Sequence, residues 1–185
     1  LGFAGVILAG ALLLMLPVSS ATHCVTPFLS ALFTSTTSVC VTGLIVVDTG
    51  TYWSVFGQAV ILVLIQIGGM GVVTVAAAVT IVSGRKIGLM QRSTMQEAVA
   101  APKMSGIVRL TGFIIRATLL IELSGAALLA PVFCRDFGPI RGLWMAVFHS
   151  ISAFFNAGFD NFGSMEPGSS LLLFQNYPVV LLNLG

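Results

Sequence analysis

From Tyr52 to Ser83 the sequence carries no charged residue. A helix of that length, at ~1.5 Å rise per residue, exceeds the ~30 Å of hydrocarbon in a bilayer. The run therefore predicts a membrane helix long enough to tilt or protrude. Leu1–Val18 is a second apolar run, Arg116–Phe133 a third interrupted by Glu122, and Leu171–Gly185 a fourth that stops short of a full crossing. The composition agrees: 57% hydrophobic, 8% charged, with a mean hydropathy of +1.05, outside the range of soluble domains. Leu1–Val18 lacks the basic start and the small-residue cleavage site of a signal sequence, so a membrane helix is expected there too. The chain opens without Met and closes inside an apolar run, and we expect it to be part of a longer polypeptide.

Charge orients these runs. Six of the eight basic residues (Arg85, Lys86, Arg92, Lys103, Arg109 and Arg116) lie between Arg85 and Arg116. The positive-inside rule places the loop Gly84–Ile107 in the cytoplasm. Asp48, Asp136, Asp160 and Glu166 then fall on the outer side. No basic stripe suggests nucleic acid. Cys24, Cys40 and Cys134 have neither metal-ligand spacing nor an even count, and are expected to be small packing residues.

The sequence also repeats. At an offset of 115 residues, "ALFTSTTSVCVTGL" (Ala31–Leu44) lies over "AVFHSISAFFNAGF" (Ala146–Phe159), matching Ala31 with Ala146, Phe33 with Phe148, Ser35 with Ser150 and Gly43 with Gly158. Further on, "QIGG" (Gln66–Gly69) resembles "NLG" (Asn183–Gly185). Each unit reads helix, loop, polar-flecked segment, glycine, loop, helix: Leu1–Val18, Phe28–Val47 and Tyr52–Ser83, then Arg109–Phe133, Arg141–Phe162 and Leu171 onward. We divide the chain into a first repeat (1–84), a cytoplasmic linker (85–108) and a second repeat (109–185) truncated in its last helix. The middle segment of each unit must begin and end outside. It therefore enters and returns, as a re-entrant loop. The expected fold is an all-α membrane protein of repeated helix–re-entrant pore loop–helix units, of potassium-channel-like type.

Irregular backbone at membrane depth is tolerated only when buried in protein or lining water. Phe28–Ser38 can form a short helix, after which about ten residues climb back out. Gly43 and Gly158 stand in those climbs, where positive φ lets neighbouring carbonyls turn to a common axis. Rings of carbonyls replace the hydration shell of potassium in the TVGYG filter of potassium channels, and "CVTGL" is a shorter analogue. The candidate ion-binding residues are thus Cys40, Val41, Thr42 and Gly43, with Phe155, Asn156, Ala157 and Gly158. The short helix points its carboxyl end, with its partial negative charge, toward the membrane centre. Thr34, Ser35, Thr36, Thr37 and Ser38 either bond backbone around the bend, line a wet cavity, or pack helix on helix.

Asp48 and Asp160 are outer-mouth candidates for concentrating cations, or plain solvated loop charges. Glu122, an intramembrane carboxylate, is a functional candidate, but a hydrogen bond to another helix is the favoured expectation. Gly68, Gly69 and Gly71 in "QIGGMG" permit close helix contact or a bend, not phosphate binding. His23 and His149 lack partners at metal-ligand spacing. Neither Gly-x-Ser-x-Gly nor His-Glu-x-x-His occurs, so no enzymatic activity is expected.

"FTSTTSVCVTGLIVVDTGTYWSVFGQAVILVLIQIGGMG" and "FHSISAFFNAGFDNFG" resemble the membrane subunit of Ktr-type potassium uptake systems, in the Ktr/Trk/HKT superfamily. The resemblance runs through nearly the whole chain. It implies four such repeats around one pore in the plasma membrane, each giving one filter glycine, here Gly43 and Gly158. The third and fourth repeats, with the gating loop of the third, would lie in the rest of the polypeptide. Homodimers, sodium-promoted potassium uptake and a cytosolic nucleotide-binding regulatory ring are likewise implied. No covalent cofactor is expected, only transported K+ and Na+. Phe155 stands where the family's commoner "FNNAGF" has Asn. The loop Gly84–Ile107 is a candidate dock for the ring, or a surface helix on anionic lipid. A non-conducting membrane assembly subunit is the alternative function.

Overall fold

The computed structural model describes residues 2–71 and 107–164. Their order is α1 (Gly2–Met15), a 3-10 turn (Pro17–Ser19), α2 (Phe28–Val39), α3 (Thr49–Tyr52), α4 (Val55–Met70), α5 (Ile107–Phe137), α6 (Pro139–Phe154) and a 3-10 turn (Phe162–Ser164). Among the described residues the regular structure is helical, apart from one antiparallel bridge between Ser20 and Trp53. The chain divides into two compact units. One comprises Leu1–Gly69 with Glu122–Gly185, and the other Met70–Ile121.

Local sequence sets the element ends. Leu16 precedes Pro17 and is extended (φ −60, ψ 140), as a pre-proline residue should be. The first helix therefore stops at Met15, short of the expected Val18. Pro27 caps α2 with extended angles and accepts from the Ala31 N–H at 3.0 Å. Gly138, at φ 81, turns the chain between α5 and α6, and Pro139 begins α6, the favoured first-turn position for proline.

The helix predicted from Tyr52 instead begins at Val55. Tyr52 belongs to the single turn α3, and Trp53 is extended (φ −90, ψ 133). The Ala21 N–H donates to Tyr52 O and the Ser54 N–H to Ser19 O, both at 2.9 Å. This long-range pairing holds the backbone out of helical geometry. It also means that the segment from Ala21 to Thr51 leaves and rejoins the body of the unit at one point. Residues 72–106 and 165–185, which include the rest of the Tyr52–Ser83 run, most of the basic loop and the Leu171–Gly185 run, lie outside the described residues.

In the unit formed by Leu1–Gly69 and Glu122–Gly185, many polar side chains are buried while many large apolar ones are exposed. Ser35, Thr37, Ser38, Gln58, Glu122, His149, Ser150 and Ser152 are buried, whereas Leu8, Leu12, Leu29, Val63, Leu123 and Leu128 are exposed. Soluble domains bury such apolar side chains and expose such polar ones. The core joins α1 (Leu14), α2 (Ala31, Val39), α4 (Ile61, Leu62, Leu64, Ile65), α6 (Phe148) and the loop after it (Ala157, Phe159). A second cluster packs Leu129 and Phe133 of α5 on Met145, Ala146 and Phe162. Thr111–Phe137 is long and apolar enough to cross a membrane; α1, α2 and α4 are shorter apolar helices over the described residues.

Candidate functional site

The two predicted loops have one backbone design. Val41 (φ 54) and Gly43 (φ 70) alternate in the left-handed region, as do Asn156 (φ 53) and Gly158 (φ 70). The last helical cap is Cys40 (φ −82, ψ −3) in one and Phe155 (φ −88, ψ 1) in the other. Three backbone bonds then close each turn. The N–H groups of Cys40, Val41 and Thr42 donate to the carbonyls of Thr36, Ser38 and Thr37, at 2.8, 3.3 and 3.0 Å. Those of Phe155, Asn156 and Ala157 donate to Ile151, Ala153 and Ser152, at 3.2, 2.9 and 2.7 Å. Every donor and acceptor is related by the same offset of 115.

Hydroxyls brace this turn. Thr37 Oγ1 accepts from the Leu44 N–H at 2.9 Å and bonds Thr42 Oγ1 at 2.6 Å. At the matching positions, Ser152 Oγ donates to Phe159 O at 2.7 Å. Ser38 Oγ donates to Thr34 O at 2.6 Å and Thr36 Oγ1 to Leu32 O at 2.7 Å, back-bonds within α2. Ser35 Oγ reaches Ile7 O of α1 at 2.7 Å, and Ser150 Oγ reaches Glu122 O of α5 at 2.6 Å. Ile7 and Glu122 are again 115 apart. The residue-by-residue match thus extends into the first helices of the two repeats.

The loops converge. A Cβ built on Gly43 would come 2.5 Å from Ala157 O and 3.1 Å from Gly158 Cα, and one on Gly158 would meet Gly43 Cα at 3.4 Å. Of the eight candidate ion-binding residues, Ala157 is fully buried; Cys40, Thr42, Asn156 and Gly158 are exposed, and Val41, Gly43 and Phe155 are half-buried. Of these eight the structure brings Gly43 against Ala157 and Gly158, with both glycines at the contact. A cavity of about 80 Å3 behind the second loop is lined by His149, Ser152, Asn156, Gly158 and Asp160 among others. His149 Nδ1 lies 2.8 Å from Met145 O, and its ring stacks on Phe162 at 4.1 Å.

The two acidic candidates occupy the loops that follow. Asp48 caps α3, accepting from the Thr51 N–H at 2.8 Å and the Thr51 hydroxyl at 2.9 Å. Its carboxylate lies where a side chain at Gly163 would stand. Asp160 accepts from the Phe162 N–H at 3.2 Å. Burial pushes the Asp160 carboxyl above the usual range and the Asp48 carboxylate adds to this, against the lowering effect of the Phe162 bond. Gln58, which sequence reasoning passed over, ties these loops together. Its Nε2 donates to Trp53 O at 3.1 Å, and its Oε1 accepts from Trp144 Nε1 at 2.8 Å and Asn161 Nδ2 at 3.4 Å. Glu122, 4% exposed, accepts from Gln66 Nε2 of α4 at 2.7 Å, the interhelical bond expected of it.

Residues 6–184 match the family described as "TrkH: Cation transport protein". The chain belongs to the TrkH family. Its members are membrane cation transporters, not enzymes. This chain is 44% identical over 160 residues to the Ktr system potassium uptake protein B of Bacillus subtilis, covering 86% of this chain and 36% of that protein. It is 40% identical over 162 residues to the potassium/sodium uptake protein NtpJ of Enterococcus hirae, covering 88% and 36%. With the Ktr system potassium uptake protein B of Vibrio alginolyticus the identity is 37% over 185 residues, covering 100% and 39%. The chain thus spans well under half the length of these relatives.

Proposed function

We propose that this chain carries part of a potassium pathway across the plasma membrane, with Cys40–Gly43 and Phe155–Gly158 as two segments of one backbone-carbonyl selectivity filter. The observation that carries the reading is the duplicated, convergent backbone: left-handed residues at 41 and 43, and at 156 and 158, with the two glycines in contact. Alternation between right- and left-handed residues turns successive carbonyls to one side, the arrangement that substitutes for an ion's hydration shell. α2 and α6 each aim a carboxyl-terminal partial negative charge at the same place.

In this reading the two loops are re-entrant and open to the outside, Asp48 and Asp160 draw cations to the outer mouth, and linker 85–108 is cytoplasmic. Repeats three and four supply the remaining filter segments. Sodium promotes uptake, the assembly is a homodimer, and a cytosolic nucleotide-binding ring gates it. The relatives named as potassium and potassium/sodium uptake proteins support potassium and sodium as the transported ions. The test is replacement of Gly43 or Gly158 by Val in the full-length protein, followed by potassium and sodium uptake in liposomes. Loss of potassium discrimination is expected, because β-branched residues do not adopt positive φ without strain. Potassium-over-sodium uptake equal to wild type would remove the filter assignment.

A further inference from the structure

Two adjacent glycines at the end of α4 stand under the roots of both loops. A Cβ on Gly68 would fall on the Val39 carbonyl, with Val39 C at 2.7 Å and Cα at 2.9 Å. A Cβ on Gly69 would fall within the Phe155 ring, with Cε1 at 2.5 Å and Cγ at 2.6 Å. Val39 is the residue immediately before the first loop, and Phe155 is the first residue of the second. Phe155 also stands on Cys40 at the 115-residue offset. Two residues earlier, Gln66 is bonded to Glu122, whose own carbonyl accepts from Ser150 of α6. Within five residues, then, α4 touches the base of one loop, the base of the other, and the helix that anchors α6.

We propose that Gly68–Gly69 is a common footing that sets the position of the two loops relative to each other, making it a specificity-determining element of the pathway although it does not itself meet the ion. The inference rests on the filter reading given above. Gly68 lets α4 seat against backbone, where nothing can yield. Gly69 seats a side chain, the ring of Phe155. The Phe155 ring thus fills the space above Gly69 and carries the height of α4 into the second loop. Coordinating groups need placement to within about 0.5 Å to discriminate, and a close-packed contact transmits a displacement of that size rather than absorbing it.

A glycine that served only helix packing would, when changed, lower the yield of folded protein and leave its selectivity intact. A footing changes selectivity in protein that still folds. The experiment is Gly69→Ala in the full-length protein, purified and assayed for potassium and sodium uptake in liposomes beside wild type and Gly43→Val. Gly69→Ala is expected to reduce potassium-over-sodium discrimination on the order of tenfold, the scale of coupling between contacting residues. In a Phe155→Ala background, where the ring is gone, the same change is expected to have little further effect. Should Gly69→Ala not fold, Phe155→Trp enlarges the same contact from the other side and is expected to shift discrimination likewise. Wild-type discrimination in Gly69→Ala or in folded Phe155→Trp overturns the footing, as does a Gly69→Ala effect that persists without the ring. If Gly43→Val also leaves discrimination unchanged, the filter reading has failed; if Gly43→Val loses it and Gly69→Ala does not, only the footing has.

Discussion

Val41 is β-branched and sits at φ 54, while its counterpart in the second loop is Asn156 at φ 53. The left-handed region costs an L-residue roughly 1–2 kcal/mol, and asparagine less because its short amide bonds locally. The first loop therefore carries backbone strain that the second largely avoids. Val41→Asn is expected to keep potassium discrimination in liposome uptake, since the backbone is unchanged. Val41→Pro is expected to abolish it, because proline fixes φ near −65° and removes the N–H that now donates to Ser38 O. Equal behaviour of the two variants would contradict the assigned backbone. The hydroxyl run resolves at this scale as well. Thr37 braces the loop, Ser35 binds a neighbouring helix, and Thr36 and Ser38 back-bond within α2. Sequence identified the cluster as polar groups needing partners; it could not apportion them, because apart from the Thr37–Thr42 hydroxyl pair the partners are backbone carbonyls or N–H groups without a side-chain signature.

At the scale of elements, Ser35 and Ser150 perform one task twice, pinning α2 to α1 and α6 to α5. A hydroxyl–carbonyl bond of this kind contributes about 1 kcal/mol net, near the ~0.6–2 kcal/mol measured between membrane helices. Ser35→Ala and Ser150→Ala are each expected to lower the melting temperature of the full-length protein by a few degrees, by similar amounts. A marked drop for one and none for the other would contradict the equivalence of the repeats. The short helix at Phe28–Val39 was legible in sequence to within a residue, because proline at 27 and glycine at 43 punctuate it. The start of α4 was not. Trp53 reads as part of an apolar run, and its extended backbone is imposed by Ser19 and Ser20, more than thirty residues away. Gly68 and Gly69 were legible as sites of close approach. What approaches them depends on the tertiary fold.

For the whole molecule, the 115-residue echo was enough to pair Cys40–Gly43 with Phe155–Gly158, two stretches that share one pattern of left-handed residues. The first helices were legible as members of the repeat, but the match of Ile7 with Glu122 was not, since the two share no side-chain chemistry and are equivalent only through the carbonyl each offers. The convergence of Gly43 on Gly158 is a property of packing between repeats; spacing alone did not carry it, and only the family resemblance implied it. That convergence is the central claim. Crystals of the full-length protein grown with rubidium in place of potassium test it most directly, because anomalous scattering locates rubidium without reference to the protein. The account predicts rubidium between the loops, coordinated by backbone oxygens from Cys40–Gly43 and Phe155–Gly158 together. Rubidium bound elsewhere along the pathway, with both sets of carbonyls uncoordinated, would contradict it.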